Sequence, residues 1–340
     1  MNAPQGVQGA SATLEAAHPY PKRPNVAFGA SNAPNATLGA LSAPNATLGR
    51  SGEPIHPVRI RVKSASAMLC PMVALHSDNT ARRAPAIWRT MLNIDRGLVN
   101  LVGRLTVSGR IPAQLRGKPL LMAANHIGVF DAFVLMAACK RIGINPRFML
   151  AGGILDAPVI GPALRVSGHL RVDRKHAGTA VGQFAEAVEA MKTTREPIIV
   201  YPEGRISHDP GLWPERGKTG AARLALAAGV PVIPISQWGA HEAVYWGTET
   251  VNGPADLVPL ARSGLSAPLR RPKFRVHFGD PVDLADVEPE RPGAGVRAHA
   301  KIMQAIADGL IPLRAGELDR PRFHDPTRPT DTVSPWKPKL

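Results

Sequence analysis

Residues 120–136 read Leu120-Leu121-Met122-Ala123-Ala124-Asn125-His126-Ile127-Gly128-Val129-Phe130-Asp131-Ala132-Phe133-Val134-Leu135-Met136. The stretch from Leu120 to Ala124 is apolar without a break, the pattern of a strand buried on both faces. A polar pair follows at Asn125-His126, then Gly128. The apolar residues resume at Phe133, Leu135 and Met136 as one side of a helix. Strand, short turn and helix in succession form the unit from which α/β domains are built.

The alternation continues outward. Arg147–Leu150, His169–Val172, Pro197–Tyr201, Val230–Ile235 and Phe274–Phe278 read as further strands. Between them Val181, Phe184, Val188 and Met191 recur at helical spacing, as do Ala221, Leu224, Ala225 and Ala228. Gly229 is suited to end the latter helix, with Pro231 just beyond. Val296, Ile302, Met303, Ile306 and Leu310 mark a last helix. These patterns predict an α/β domain over about residues 115–285.

Upstream, residues 86–107 place Ile87, Met91, Ile94, Leu98, Leu101, Val102 and Leu105 at helical spacing, with Arg89, Arg96 and Arg104 between them. Such a helix either packs on its own domain or lies on an anionic bilayer. Residues 1–80 are rich in Ala, Pro, Asn and Ser. They hold a near-repeat, Ala33-Pro34-Asn35-Ala36-Thr37-Leu38-Gly39 returning at Ala43–Gly49. With so little apolar surface to bury, they read as a disordered low-complexity extension. Met68 and Met91 are alternative starts. The folded domain is expected over 85–315, and the Pro- and charge-rich residues 316–340 read as a flexible tail.

The chain has 340 residues and a formal charge of +15. The extension carries Lys22, Lys63, Arg23, Arg50, Arg59 and Arg61 against Glu15, Glu53 and Asp78, so most of the positive charge belongs to the remainder. That balance favours nucleic acid, an anionic membrane face or phosphorylated metabolites. Aromatic residues, at 5%, are few and not interleaved with the basic ones, which argues against a nucleic-acid platform. No charge-free apolar run is long enough for a spanning helix, and the first residues lack a signal-peptide layout. Two cysteines, Cys70 and Cys139, make no disulfide framework. The histidines lack metal-ligand spacing, and no metal or cofactor is expected.

In α/β sheets ligands bind past the carboxyl ends of the strands. Three of these ends carry chemistry. At the first, His126 and Asp131 are five residues apart, about 140° of rotation on a continuous helix, and would face different ways. With His126 in the turn and Asp131 in the first helical turn, the carboxylate reaches the ring and leaves the other nitrogen as a base. This is a catalytic triad without its serine, so the nucleophile would be a substrate hydroxyl. The plainer alternative makes Asn125 a helix cap and His126 a surface residue. At the second, Gly168-His169-Leu170-Arg171-Val172 delivers Arg174, which can grip a phosphate. At the third, Tyr201-Pro202-Glu203-Gly204-Arg205 ends a buried strand with an acid, and Lys218 and Arg223 follow with positive charge.

These motifs, with Val230-Pro231-Val232-Ile233-Pro234-Ile235, occur in the order and spacing of the glycerolipid acyltransferases. Over residues 115–245 the chain resembles the 1-acylglycerol-3-phosphate acyltransferase family. The resemblance implies a mixed sheet flanked by helices, with His126 as general base and Asp131 as its partner. It places Arg174, Glu203 and Gly204 at the glycerol-phosphate site, and Asn125, Arg205 and Lys218 are further substrate-binding candidates read from this sequence. It implies a glycerol-phosphate lipid acceptor, an acyl thioester donor carried by coenzyme A or acyl carrier protein, and an anionic membrane surface on the cytoplasmic side. Amides near Gly128 would meet the oxyanion. The family usually reads Glu-Gly-Thr before an arginine. Here Arg205 follows Gly204 directly, which bears on the acceptor more than on the chemistry.

Overall fold

A computed structural model of the protein describes residues 85–158, 160–172, 177–246 and 254–338. The low-complexity stretch read over residues 1–80 lies outside them.

The order is α1 (Ala86–Val102), β1 (Arg104–Gly109), β2 (Leu121–Ala124), α2 (Asp131–Arg141), β3 (Arg147–Ala151), α3 (Gly152–Leu155), α4 (Gly161–Val166), β4 (Leu170–Val172), α5 (Ala177–Thr193), β5 (Ile198–Val200), α6 (Gly220–Ala228), β6 (Val232–Trp238), α7 (Val258–Arg270), β7 (Lys273–Phe278) and α8 (Ala294–Leu313). The strands form one sheet in the order β1-β7-β6-β2-β5-β3-β4. All neighbours are parallel except β6 and β7. The sheet is therefore mixed, as the resemblance implied.

Period-two alternation feeds both sheet faces. Met122, Ala124, Ile199, Ile233 and Ile235 join α1 and α2 on one side. Leu121, Ala123, Ile198, Val200 and Val232 join α5, α6 and α8 on the other. This explains why the central strands read as unbroken apolar runs. Gly229 ends α6 in the left-handed region, φ 64°, and the Val230 amide donates to Ala225 O at 3.1 Å, closing the last turn.

Two expectations change. The helix read over 86–107 stops at Val102, and residues 104–109 become an edge strand. Arg104 N donates to Pro272 O at 2.9 Å, and β1 then pairs with β7 along its whole length. Leu105 and Val107 fit a helical stripe and a strand face equally, and a partner far away in sequence decides between them. The second change concerns the tail. Residues 316–338 are laid against the domain. Ser334 N donates to Asp209 Oδ2 at 2.9 Å and Trp336 Nε1 to Glu215 O at 3.2 Å. Where the tail leaves α8, Arg314 is fully buried between the indoles of Trp213 and Trp238, at 4.2 and 4.1 Å. It donates to Gly211 O at 2.6 Å and Glu317 O at 2.8 Å. Polar bonds and indole stacking anchor this segment, so a reading based on apolar periodicity passes over it.

Candidate active site

The parallel strands β2 and β5 end side by side, and the residues just beyond them build the site. His126 follows β2 in the turn, and Asp131 opens α2 with its side chain fully buried. His126 Nδ1 lies 2.8 Å from Asp131 Oδ2. The same oxygen accepts from the amides of Ile127 at 2.5 Å and Gly128 at 2.9 Å. With Nδ1 donating to the carboxylate, Nε2 is the basic nitrogen. The imidazole stacks on the Tyr201 ring at the end of β5, centroids 4.0 Å apart and planes 14° from parallel, and keeps 21% of its side chain open to solvent. One sequence expectation changes here. The amides near Gly128, expected to serve an oxyanion, are drawn into Asp131.

Glu203 and Asn125 both hold main chain around the turn. Glu203 Oε1 accepts from the His126 amide at 2.7 Å and Oε2 from the Glu215 amide at 2.8 Å. Burial nevertheless pushes its carboxyl up to about 8, against the pull of those two donors. Both oxygens hold backbone, so Glu203 fixes the His126 turn while also lining the cavity beyond Gly204. Asn125 is fully buried. It exchanges bonds with the Gln237 main chain, Nδ2 to O at 3.0 Å and Oδ1 from N at 2.8 Å, while Gln237 Nε2 donates to Asn125 O at 2.8 Å. It ties the end of β2 to β6 and contacts no open space. An unpaired polar side chain at that depth would be costly, and this pairing removes the cost.

Gly204 turns the chain with φ 74°, and its amide donates to Tyr201 O at 2.9 Å. Beyond it opens a cavity of about 500 Å³ lined by Glu203, Gly204, Arg205, Arg216, Lys218 and Thr332, among others. Arg205 donates through Nε to Glu215 Oε2 at 3.0 Å and through a terminal nitrogen to Thr332 Oγ1 at 3.0 Å. Its charge is thus partly spent on the protein. Lys218 and Arg216 are exposed at the rim. Of the residues expected at the substrate site, Gly204, Arg205 and Lys218 meet here beside the catalytic turn. Arg174 lies outside the described residues. Arg216 and Thr332 join them unforeseen. Arg216 stands two residues before Lys218 and could have been noticed, whereas Thr332 arrives only through the packed tail.

A histidine–aspartate pair past the strand ends of an α/β sheet, beside a cationic cavity, is an arrangement that can act as a general base toward a bound hydroxyl. Residues 104–238 match the family model described as Acyltransferase. Its relatives include the 1-acyl-sn-glycerol-3-phosphate acyltransferases of Escherichia coli K12 and Limnanthes douglasii. The first is 37% identical over 33% of this chain and 44% of the relative. The second is 29% identical over 41% and 49%. The 1-acyl-sn-glycerol-3-phosphate acyltransferase alpha of Homo sapiens is 29% identical over 35% and 40%. The matched region thus spans less than half the length of each of these relatives. The solved 1-acyl-sn-glycerophosphate (LPA) acyltransferase of Thermotoga maritima aligns with a TM-score of 0.47 and 20% identity, over 67% of this chain and 81% of that one.

Proposed function

We propose that the protein transfers an acyl group from a thioester to the hydroxyl of a glycerol-phosphate lipid, with 1-acylglycerol-3-phosphate as the acceptor and phosphatidate as the product. The observation that carries this reading is the His126–Asp131 pair at 2.8 Å, beside which Ser207 spends its hydroxyl on Trp213 O at 2.9 Å. Cys139 is buried in α2 and burial pushes its thiol up, so it supplies no thiolate. His126 Nε2 takes the acceptor's hydroxyl proton as the oxygen attacks the thioester carbonyl. The C–O bond forms, the C–S bond breaks, and the imidazolium returns the proton to the departing thiolate. Asp131 holds the tautomer and stabilises the imidazolium. The acceptor phosphate sits in the cavity of Arg205, Arg216 and Lys218, which turns remote binding energy into orientation.

The substrates are lipids, so the protein works at a bilayer. No helix among the described residues is long and apolar enough to cross a membrane. Contact is peripheral, at the inner face, and α1 supports it. Its core face is Trp88, Leu92, Asp95, Val99 and Val102, which turns most of the stripe read from the sequence outward. Ile87, Ile94, Leu98 and Leu101 are exposed, Ile94 by 68%. Helix α7 packs beside α1 and exposes Val258, Leu265 and Leu269, the last two by 82% and 88%, with Arg262, Arg270 and Arg271 among them. An apolar, basic surface of this kind suits an anionic interface.

The test incubates purified protein with acyl-coenzyme A or acyl carrier protein and a panel of lysolipids, and identifies products by mass spectrometry. Phosphatidate should form with lysophosphatidate, and His126→Ala should lower the rate by about 10²–10⁴-fold, the worth of a general base. No acylated product from any acceptor, or more than about a tenth of the activity left in His126→Ala, rejects the reading.

A further inference from the structure

The packed tail brings one side chain into the catalytic turn. Arg328 donates through one terminal nitrogen to Ser207 O at 2.8 Å and through the other to Ile127 O. Its guanidinium lies over the Trp246 ring, 5.4 Å from the centroid. The backbone that presents it is fixed in turn. Asp325 Oδ1 accepts from the amide and hydroxyl of Thr327 at 2.9 and 2.6 Å, and Asp325 Oδ2 accepts from Trp246 N at 2.7 Å. The turn itself is bound at every peptide. His126 N donates to Glu203, His126 O accepts from Ser207 N at 2.8 Å, and the amides of Ile127 and Gly128 donate to Asp131.

The Ile127–Gly128 peptide therefore carries a guanidinium on its carbonyl and Asp131 Oδ2 on its amide. That oxygen is the one that holds His126 Nδ1. Hydrogen bonds in series polarise one another, and the effect is largest out of water. A cation on the carbonyl makes the Gly128 amide a stronger donor to Asp131. The same cation bridges the carbonyls of Ile127 and Ser207, and so ties the segment 126–128 to the segment 205–208. Arg328 lies outside residues 104–238, the part matched to the acyltransferase family.

We propose that Arg328 is a positioning residue for the histidine–aspartate pair, acting through the Ile127–Gly128 peptide, so that the C-terminal residues 325–328 are a working part of the active centre. It touches no reacting atom. Its effect on turnover rests on the function proposed above, whereas its effect on the pair does not.

The experiment uses the full chain with ¹⁵N-labelled histidine. The proton on His126 Nδ1 is assigned by its loss in His126→Ala. In Arg328→Ala that resonance should shift or broaden, and kcat should fall by about 10- to 100-fold, as a small displacement of a catalytic group does, with the KM of both substrates within about threefold. Lys337→Ala, which removes only a surface pair with Asp319, should leave both readouts unchanged. Arg328→Lys keeps the charge but lacks the fork that spans two carbonyls, and should recover part of kcat. If Arg328→Ala does not fold, Arg328→Lys and Arg328→Gln carry the measurement, judged at an unchanged near-UV circular dichroism spectrum. An unmoved resonance overturns the proposal whatever kcat does, as does an unmoved kcat when the parent is active. A parent without acyltransferase activity rejects the proposed function alone, and the resonance still decides whether Arg328 acts on the pair.

Discussion

Glu203 holds His126 by its main chain and not by its ring: Oε1 accepts from the His126 amide at 2.7 Å while Oε2 accepts from the Glu215 amide at 2.8 Å. One buried carboxylate thus links the end of β2 to the loop that follows β5. Glu203→Gln can accept only one of these bonds, because its NH₂ would face an amide donor. The loss of a buried bond should cost about 1–3 kcal/mol of stability. It should also lower kcat more than it raises KM for the acceptor. Denaturant unfolding and steady-state kinetics together check this, and a change confined to acceptor KM would return Glu203 to the substrate site.

The cavity beside the turn predicts a split between substrates. Lys218→Ala removes an exposed cation from its rim, and Arg216→Ala removes a second. Each should raise the KM of a phosphate-bearing acceptor while leaving that of the acyl thioester nearly constant. A charge-assisted contact of about 1.5–3 kcal/mol corresponds to roughly 10- to 150-fold, with the lower end expected for a rim that water reaches. A rise in the thioester KM instead would assign the cavity to the donor.

Asp95 predicts how stability follows pH. It sits on the core face of α1 with neither carboxylate oxygen hydrogen-bonded, and burial pushes its carboxyl up to about 8 from 3.8. Between those values the folded state binds more protons than the unfolded one, so stability falls as pH rises. The slope reaches about 1.4 kcal/mol per pH unit for one such group. Glu203, raised to about 8, acts in the same direction. Asp95→Asn should match the parent near pH 4 and be more stable at pH 8. Thermal unfolding across that range is the measurement, and parallel curves for parent and variant would contradict it.

Arg314 predicts the strength of the tail's anchor. Arg314→Ala loses two carbonyl bonds and two indole stacks and leaves a cavity between Trp213 and Trp238. A loss of about 3 kcal/mol or more is expected, at the level of a large buried side chain. Arg314→Lys should recover little, since an ammonium cannot lie flat between two rings. Midpoints of denaturant unfolding decide this.

The outward face of α1 and α7 predicts reversible, salt-weakened binding to anionic vesicles. Each arginine near the surface contributes roughly 1 kcal/mol, so the apolar residues must supply the remainder. Ile94→Asp with Leu98→Asp, or Leu265→Asp with Leu269→Asp, should each reduce co-sedimentation. Equal binding to neutral vesicles at high salt would remove the electrostatic part, and unchanged binding in both double variants would remove this face as the docking surface.

The sequence by itself determined the α/β alternation, because strands buried on both faces must be apolar throughout and helices packed on a sheet must repeat near every fourth residue. It also offered the His126–Asp131 pair beside a plainer reading of helix cap and surface histidine, and the turn that seats His126 before α2 decided between them. What it could not determine is which face of an amphipathic stretch turns inward. In α1 the stripe of Ile87, Ile94, Leu98 and Leu101 is outside, and the core is reached by Trp88, Leu92 and Val99. Nor could it separate contact with substrate from support of the scaffold. Asn125 and Glu203 carry the polarity of binding residues, but their partners are the main chain of Gln237, His126 and Glu215. The tail was hidden for a related reason. Arg314, Arg328 and Ser334 bind through one or two polar contacts each to residues a hundred or more positions away, and such contacts leave no period in a sequence. Local spacing is written along the chain. The choice among burial, scaffold and substrate is made only when distant segments meet, and for Glu203 and Arg328 that meeting occurs at the turn that holds His126.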